Sequence, residues 1–379
     1  MRSKFYLIAL LSICIAFAGC KDKKQAGIFI PSSAGAPYDV LVVADPSVLH
    51  GMAGDAVESL LETEIDGLPQ SEPSFKVSKC ITEDFTRALR LCRNIIMVRV
   101  DNKLYTAPKI KYTNNVYAAP QVIMTIQAPT QESLAGYLED NGHFIIDFLT
   151  RTELNREAKL LKKRYNVYVD QQVNSMFGCH VSVPSELSKH KIGKNFFWAA
   201  TDLGDRDMNF VIYSYPYTDA NTFTAEYFFE KRDSVMRCNI PGPRDGQYMS
   251  TARKYVDVYD SSIGDEYVQV ARGLWEMKNY DMGGPFVSLS RVDQVNNRVI
   301  VAEAFIYAPG SDKRMLMRRM EASLYTLSMP SPEAQKDAHI NSIVVLPNDV
   351  TQDNRRVRSV NVQFEDVIIL SDDDTDLKN

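Results

Sequence analysis

Ser188 and Lys191 stand at the S-x-x-K spacing, at which a lysine can take the proton of a serine hydroxyl and make it an acyl-transfer nucleophile. The S-D-N and K-T-G companions of that chemistry are absent, so the pair reads as two ordinary surface residues. Asp257, Asp260, Glu276 and Glu303 supply carboxylates for general acid and base work on cell-wall or carbohydrate substrates. That reading requires two of them to converge within roughly 5 to 10 Å, one with a raised pKa. Asp202, Asp205 and Asp207 surround Gly204, an oxygen-rich loop of the kind calcium favours, but the spacing is not that of an EF-hand and hairpin turns use the same residues. His50, His143, His180, His190 and His339 stand apart from one another without the spacing of zinc ligands. No metal and no cofactor is expected. There is no glycine-rich phosphate loop, no G-x-S-x-G turn and no C-x-x-C.

Two other stretches carry more information. Gly273-Leu274-Trp275-Glu276-Met277 precedes Met282-Gly283-Gly284-Pro285-Phe286; paired glycines before a proline allow a tight backbone turn, and Trp275, Gly283, Gly284, Pro285 and Phe286 form a candidate ligand groove or part of the core. At the other end, Arg2 and Lys4 precede an apolar run from Tyr6 to Ala18, followed by Ala18-Gly19-Cys20. This is the order of a secretory signal peptide. With Cys20 directly after the small residues, it resembles the lipobox of bacterial lipoproteins, with Phe17 where leucine is usual. The resemblance implies cleavage before Cys20 and acylation of its thiol and amine, palmitate being one of the acyl chains. Two or three such chains anchor a protein stably to a membrane without a transmembrane span. By resemblance to the sorting rules of enteric lipoproteins, Lys21 rather than Asp after the lipidated cysteine implies the outer membrane, on its periplasmic or its outer face.

The composition, 45% hydrophobic and 24% charged, is that of a folded globular chain. Its length allows roughly two domains, each large enough to bury a core. The net charge is -5, falling to about -7 once Arg2 and Lys4 leave with the signal, which excludes the basic excess of a typical nucleic-acid binder. Of six cysteines, Cys80, Cys92, Cys179 and Cys238 remain after cleavage and acylation. Cys80 and Cys92 flank an expected helix, whose ends lie too far apart for a disulfide. Cys179 with Cys238, or four free thiols, are the alternatives.

These residues have to be held by regular elements. Strands are predicted at Tyr38 to Ala44, Phe75 to Val77, Asn94 to Val100, Ile110 to Tyr117 and Val122 to Gln127, with helices through Ala56 to Leu61 and Thr82 to Leu91 between the first three, the order of βαβ units. Thr130 is expected to cap a long helical stretch that Asn141-Gly142 splits and that runs to Arg164. A polar link, Asp170-Gln171-Gln172, follows. Strands are then predicted at Cys179 to Val183, Asn195 to Ala200 and Met208 to Tyr215, a helix at Thr222 to Arg237, and strands near Tyr255 to Tyr259, Tyr267 to Met277, Pro285 to Asp293 and Arg298 to Tyr307. Ser311 is expected to cap a last helix bearing Leu316, Met320, Leu324 and Leu327. Basic runs at Lys159, Lys162, Lys163, Arg164 and at Lys313, Arg314, Arg318, Arg319 read as solvated helix faces able to touch anionic lipid.

The resulting layout is α+β: signal peptide 1–19, lipidated leash 20–37, an N-terminal α/β domain 38–172, a C-terminal domain 177–330 with a largely antiparallel sheet flanked by helices, and a polar extension 331–379 with one strand-like run from Val360 to Leu370 and the acidic tail Asp372 to Asp376. The element order of the C-terminal part resembles the α/β/α sandwich of the PsbP and Mog1 superfamily. On Gly273 to Phe286, Ala308-Pro309 and Lys313-Arg314, the mature chain resembles an uncharacterised lipoprotein family of Bacteroides-type bacteria, described only as a domain of unknown function. That family carries no activity to transfer. The expectation is a cell-envelope lipoprotein acting as a non-catalytic binding or structural module, with the membrane at Cys20 and an envelope protein as partners and no nucleic acid. An envelope hydrolase and a carrier of a hydrophobic ligand are the alternatives.

Overall fold

The computed structural model describes residues 30–330 and the short strand Val367–Ile369. The expected signal peptide, Cys20 and most of the expected leash lie outside the described residues, as do the acidic tail and the remainder of the extension. The described chain is mixed α+β and contains two sheets, each with its own core.

The first sheet has the order β4-β5-β3-β1-β2, from β1 (Asp39–Ala44), β2 (Lys76–Ile81), β3 (Asn94–Val100), β4 (Lys109–Asn114) and β5 (Val122–Ala128), and Val367–Ile369 lies parallel on the outer edge of β4. β1 is parallel to β2 and β3, and β3 to β5, although only the β1 to β2 connection carries α-helices; β4 alone runs antiparallel to β5. Strands β1 and β3 are apolar because both of their faces are covered. One face packs on α2 (Met52–Leu61), α3 (Gln131–Asn141) and α4 (His143–Lys163) through Val57, Leu61, Leu134, Leu138, Ile145 and Leu149. A four-residue helix, α1 (Pro46–Leu49), precedes α2. Thr130 caps α3 as expected, accepting the Ser133 amide while Ser133 returns a capping-box contact, and Asn141-Gly142 divides α3 from α4.

The other face corrects one expectation. Residues 82–91 are not a helix but two 3-10 turns, Thr82–Asp84 and Leu89–Leu91. Cys80 and Cys92 therefore line the same small apolar cluster with Leu41, Phe85 and Ile95, as free thiols, and the helical separation that excluded their pairing is absent.

The second sheet has seven antiparallel strands in the order β6-β7-β8-β12-β11-β10-β9. They are β6 (Lys189–Gly193), β7 (Phe196–Ala200), β8 (Asp207–Pro216), β9 (Tyr248–Ile263), β10 (Glu266–Lys278), β11 (Tyr280–Asp293) and β12 (Arg298–Tyr307). Between β8 and β9 the chain crosses through α6 (Ala225–Asn239), capped by Thr224, to the far edge, and three hairpins bring it back until β12 pairs with β8. That crossover puts α6 on one face. The other face is covered by α5 (Val167–Phe177) and α7 (Arg314–Leu324).

Three local expectations change here. Asp170-Gln171-Gln172, read as a polar link, lies inside α5: the Asn166 side chain accepts the Val169 amide, Gly178 ends the helix at φ 66°, and Val169, Val173 and Phe177 are buried in the second core. In the segment Cys179 to Val183, Cys179, Val181 and Val183 are buried, but it makes only the isolated bridge His180 to Ser328, whereas β6 was not anticipated. Ser311 does not cap α7, which begins after Lys313 and takes its cap from the other half of the chain.

Candidate functional site

Trp275, Gly284 and Phe286 belong to the packed α6 side of the second sheet. Trp275 donates its indole N–H to the Ile306 carbonyl at 3.2 Å and meets Phe305 edge-on. A Cβ on Gly284 would stand 2.1 Å from that same Ile306 oxygen, so glycine is required for the strands to approach. Phe286 is fully buried with the Arg232 guanidinium over its ring, 4.1 Å from the centroid. Gly283 and Pro285 stand opposite Glu276 and Leu274 in the β11–β10 ladder.

Arg232 on α6 and Glu303 on β12 form a buried two-pronged pair: Nε donates to Oε2 at 2.9 Å and Nη2 to Oε1 at 2.7 Å, while Nη1 reaches Thr251 Oγ1 at 2.9 Å. Burial pushes the Glu303 carboxyl up, against the pull of Arg232. The four carboxylates proposed for acid and base work do not converge. Glu303 faces α6, as does Asp260, which stands opposite Gln269 and accepts the Tyr267 hydroxyl at 2.6 Å. Asp257 pairs across the ladder with Arg272 on the opposite face, and Glu276 is taken by Lys278. In the Asp202 to Asp207 turn, Asp207 accepts Thr201 Oγ1 and the Leu203 amide, and Asp202 pairs with Lys189. Among the described residues no group of three His, Cys, Asp or Glu is placed to hold a metal. Lys191 donates to the Asn239 carbonyl, and the exposed His180 ring lies 3.1 Å from Asp170.

An open surface lies on β9. This strand is the sheet's edge, and α6 satisfies its outer side only at the start, where Met249 N–H donates to the Ile240 carbonyl and Thr251 N–H to Asp233. Among the described residues, nothing beyond β10 pairs with the backbone from Arg253 to Ser261. Tyr255 and Tyr259 project there, 59% and 43% exposed. Beside Tyr255 is an open cleft of about 480 Å³, lined by Asp233, Arg253, Lys254, Tyr255, Glu276 and Lys278, whereas the Tyr259 hydroxyl meets Arg272 on the α7 face. A bulge against Gly273 sets the strand's bend; a Cβ there would collide with the Tyr255 carbonyl at 2.0 Å.

The two halves meet through polar and apolar contacts. Glu72, after α2, accepts the amides of Lys313 and Arg314 at the start of α7, and Lys313 Nζ reaches Gln70. Glu321 on α7 pairs with Arg272 and Arg318, and those two cations hold its carboxyl below the usual range despite burial. Arg318 covers the Tyr38 ring, Arg319 pairs with Glu157, and Leu154 and Leu161 on α4 pack on Ala322. Among the described residues, no helix is long and apolar enough to cross a membrane.

Residues 33–162 match a family model described as a domain of unknown function (DUF8532), and residues 166–326 match a second, also described as a domain of unknown function (DUF4837). The two matched stretches fall on the first and the second sheet, and neither description names an activity. No curated protein matches it.

Proposed function

We propose that this chain is a cell-envelope lipoprotein, held at the outer membrane through acyl groups on Cys20, that works as a non-catalytic binding module for another envelope protein. The observation that carries the binding reading is the open edge of β9. An unpaired strand edge offers a row of amides and carbonyls to an extended partner segment, and such segments bind by adding a strand. Tyr255 and Tyr259 flank that row, and tyrosine is enriched at binding surfaces because it buries a large rigid area at low entropic cost. The mixed charges of the adjoining cleft, Arg253 and Lys254 against Asp233 and Glu276, supply orientation. The contacts across the two halves support the same reading by holding this surface fixed relative to the first half of the described chain.

A photo-crosslinking amino acid at position 255, compared in intact cells with one at Leu104, an exposed site in the first half, tests this. One discrete protein adduct specific to position 255, lost when a proline at Tyr259 blocks strand addition, is expected. Equal labelling at both positions, or an adduct indifferent to the proline, overturns the β9 docking.

A further inference from the structure

We propose a second surface with a different partner: the end of α4, the start of α5 and the edge strand β6 form the face that this protein lays on an anionic bilayer. The inference rests on the tethered reading above. Four large apolar side chains stand in solvent on this surface: Leu160 (58% exposed), Val167 (54%), Tyr168 (41%) and Ile192 (53%). Leu160, Val167 and Tyr168 follow one another around the α4 to α5 turn. Ile192 joins them because His190 and Ile192 pair with Ala199 and Phe197, whose side chains share a core with α5, so both lie on the α5 face of the sheet. The rings of Tyr168 and His190 are 4.6 Å apart, which closes the patch.

Lys159, Lys163 and Arg164 at the end of α4 and Lys194 just after β6 are all exposed, and none has an ion-pair partner among the described residues. The neighbouring acids are already engaged: Glu157 and Glu186 with Arg319, Asp202 with Lys189, and Asp170 with His180. Uncompensated cations interleaved with exposed apolar and aromatic side chains match the headgroup and acyl boundary of an anionic leaflet. The whole chain is acidic, at -5, so attraction to such a surface has to be local, and it is local here.

The position of the patch fits the anchor. The chain arrives at the first sheet where Ala34 N–H donates to the Leu91 carbonyl and the Ala34 carbonyl accepts the Arg93 amide. Arg93 is held by Glu153, and Arg156 donates to the Arg93 carbonyl, so α4 passes this same end of the sheet at 153–156. Eight residues later, about 12 Å further along the helix axis, comes Arg164. The ten residues from Cys20 to Ile30 span at most about 35 Å when extended. A bilayer holding Cys20 is therefore within reach of the patch.

The test uses the mature chain 20–379 made without acyl groups as the Cys20→Ser variant, sedimented with phosphatidylcholine vesicles with and without phosphatidylglycerol. Binding to the phosphatidylglycerol vesicles alone, weakened by salt, is expected. The triple variant Lys159→Glu, Lys163→Glu, Arg164→Glu should bind at least ten-fold more weakly, since each cation near an anionic surface contributes about five-fold. Tyr168→Ser with Ile192→Ser should weaken binding without changing its salt dependence. Wild-type binding that is absent, indifferent to phosphatidylglycerol or unchanged in the triple variant overturns the proposal. So does a crosslinked protein, rather than lipid, at position 168 in cells. Mass spectrometry of the native amino terminus reports on Cys20 separately: acylation with no patch effect fails this inference alone, and patch binding without acylation fails the anchor alone.

Discussion

Glu72 and Lys313, 241 residues apart, are joined by a 2.7 Å hydrogen bond in which the carboxylate of one half of the molecule accepts the amide that opens a helix of the other. The second carboxylate oxygen takes the Arg314 amide at 2.9 Å. Glu72 thus supplies the cap that α7's own N-terminal residues do not, and its negative charge sits at the positive end of the helix dipole. Glu72→Ala should cost about 2 kcal/mol and Glu72→Gln about 1, because glutamine keeps one acceptor and loses the charge. Urea titrations of the two variants check both values.

Arg232 and Glu303 should behave as a unit. Arg232→Met leaves a buried carboxylate unpaired and should cost about 3 to 5 kcal/mol, whereas adding Glu303→Leu to that variant should return most of the loss. A double-mutant cycle by chemical denaturation gives the coupling. Independent, additive losses would mean that Thr251 and Phe286, not Glu303, are what Arg232 serves.

Burial pushes the Cys179 thiol from an ordinary 9.0 up to about 12, whereas Cys238 is exposed. Iodoacetamide at neutral pH should label Cys238 and spare Cys179. The folded chain keeps the Cys179 proton where the unfolded chain gives it up, so this contribution to stability is complete below pH 9 and drains away as the pH rises to about 12. Denaturation midpoints measured across that window should fall, and fall less in Cys179→Ala.

The parts of the fold legible in the sequence are those whose signal is local. The βαβ order showed because β1, β3 and β5 are short apolar runs covered on both faces, and the α3 cap showed because Thr130 follows Pro129. α5 was hidden by Asp170, Gln171 and Gln172 on its solvent side, although Asn166, the Val169, Val173, Phe177 stripe and Gly178 carried its signature. β6 escaped because an exposed edge strand of Lys, His and Lys lacks apolar alternation. Trp275 and Gly284 stood out for a reason that proved to be close strand packing. The β9 edge left no mark, since β9 is an edge only because α6 carries the chain across the sheet. Nor could any local pattern join Glu72 to α7.

The placement of α5 makes a fragment prediction. A chain beginning at Gly178 lacks Val169, Val173 and Phe177, whose burial is worth about 5 to 9 kcal/mol together, comparable with the stability of a whole domain. Residues 165–330 should melt cooperatively and residues 178–330 should not, by circular dichroism. Cooperative melting of the shorter piece would make α5 an accessory.

Cys20 should carry acyl groups on the mature protein, read directly by mass spectrometry of the amino-terminal peptide. Cys20→Ala should leave the signal peptide uncut. Wild-type protein still bearing Met1 to Gly19 would show that the apolar run is an uncleaved anchor.

The lateness of α7 in the chain bears on how the molecule is assembled. A polypeptide emerging amino end first exposes Glu72 early, but the amides it receives are made some 240 residues later. Until then the α7 side of the second sheet, with Ile212, Leu289 and Ile300, has no cover from Met317, Met320 and Leu324. The second half therefore cannot close its core piecemeal during synthesis, and a chain stopped before Arg314 presents a broad apolar sheet face to whatever holds unfolded chains.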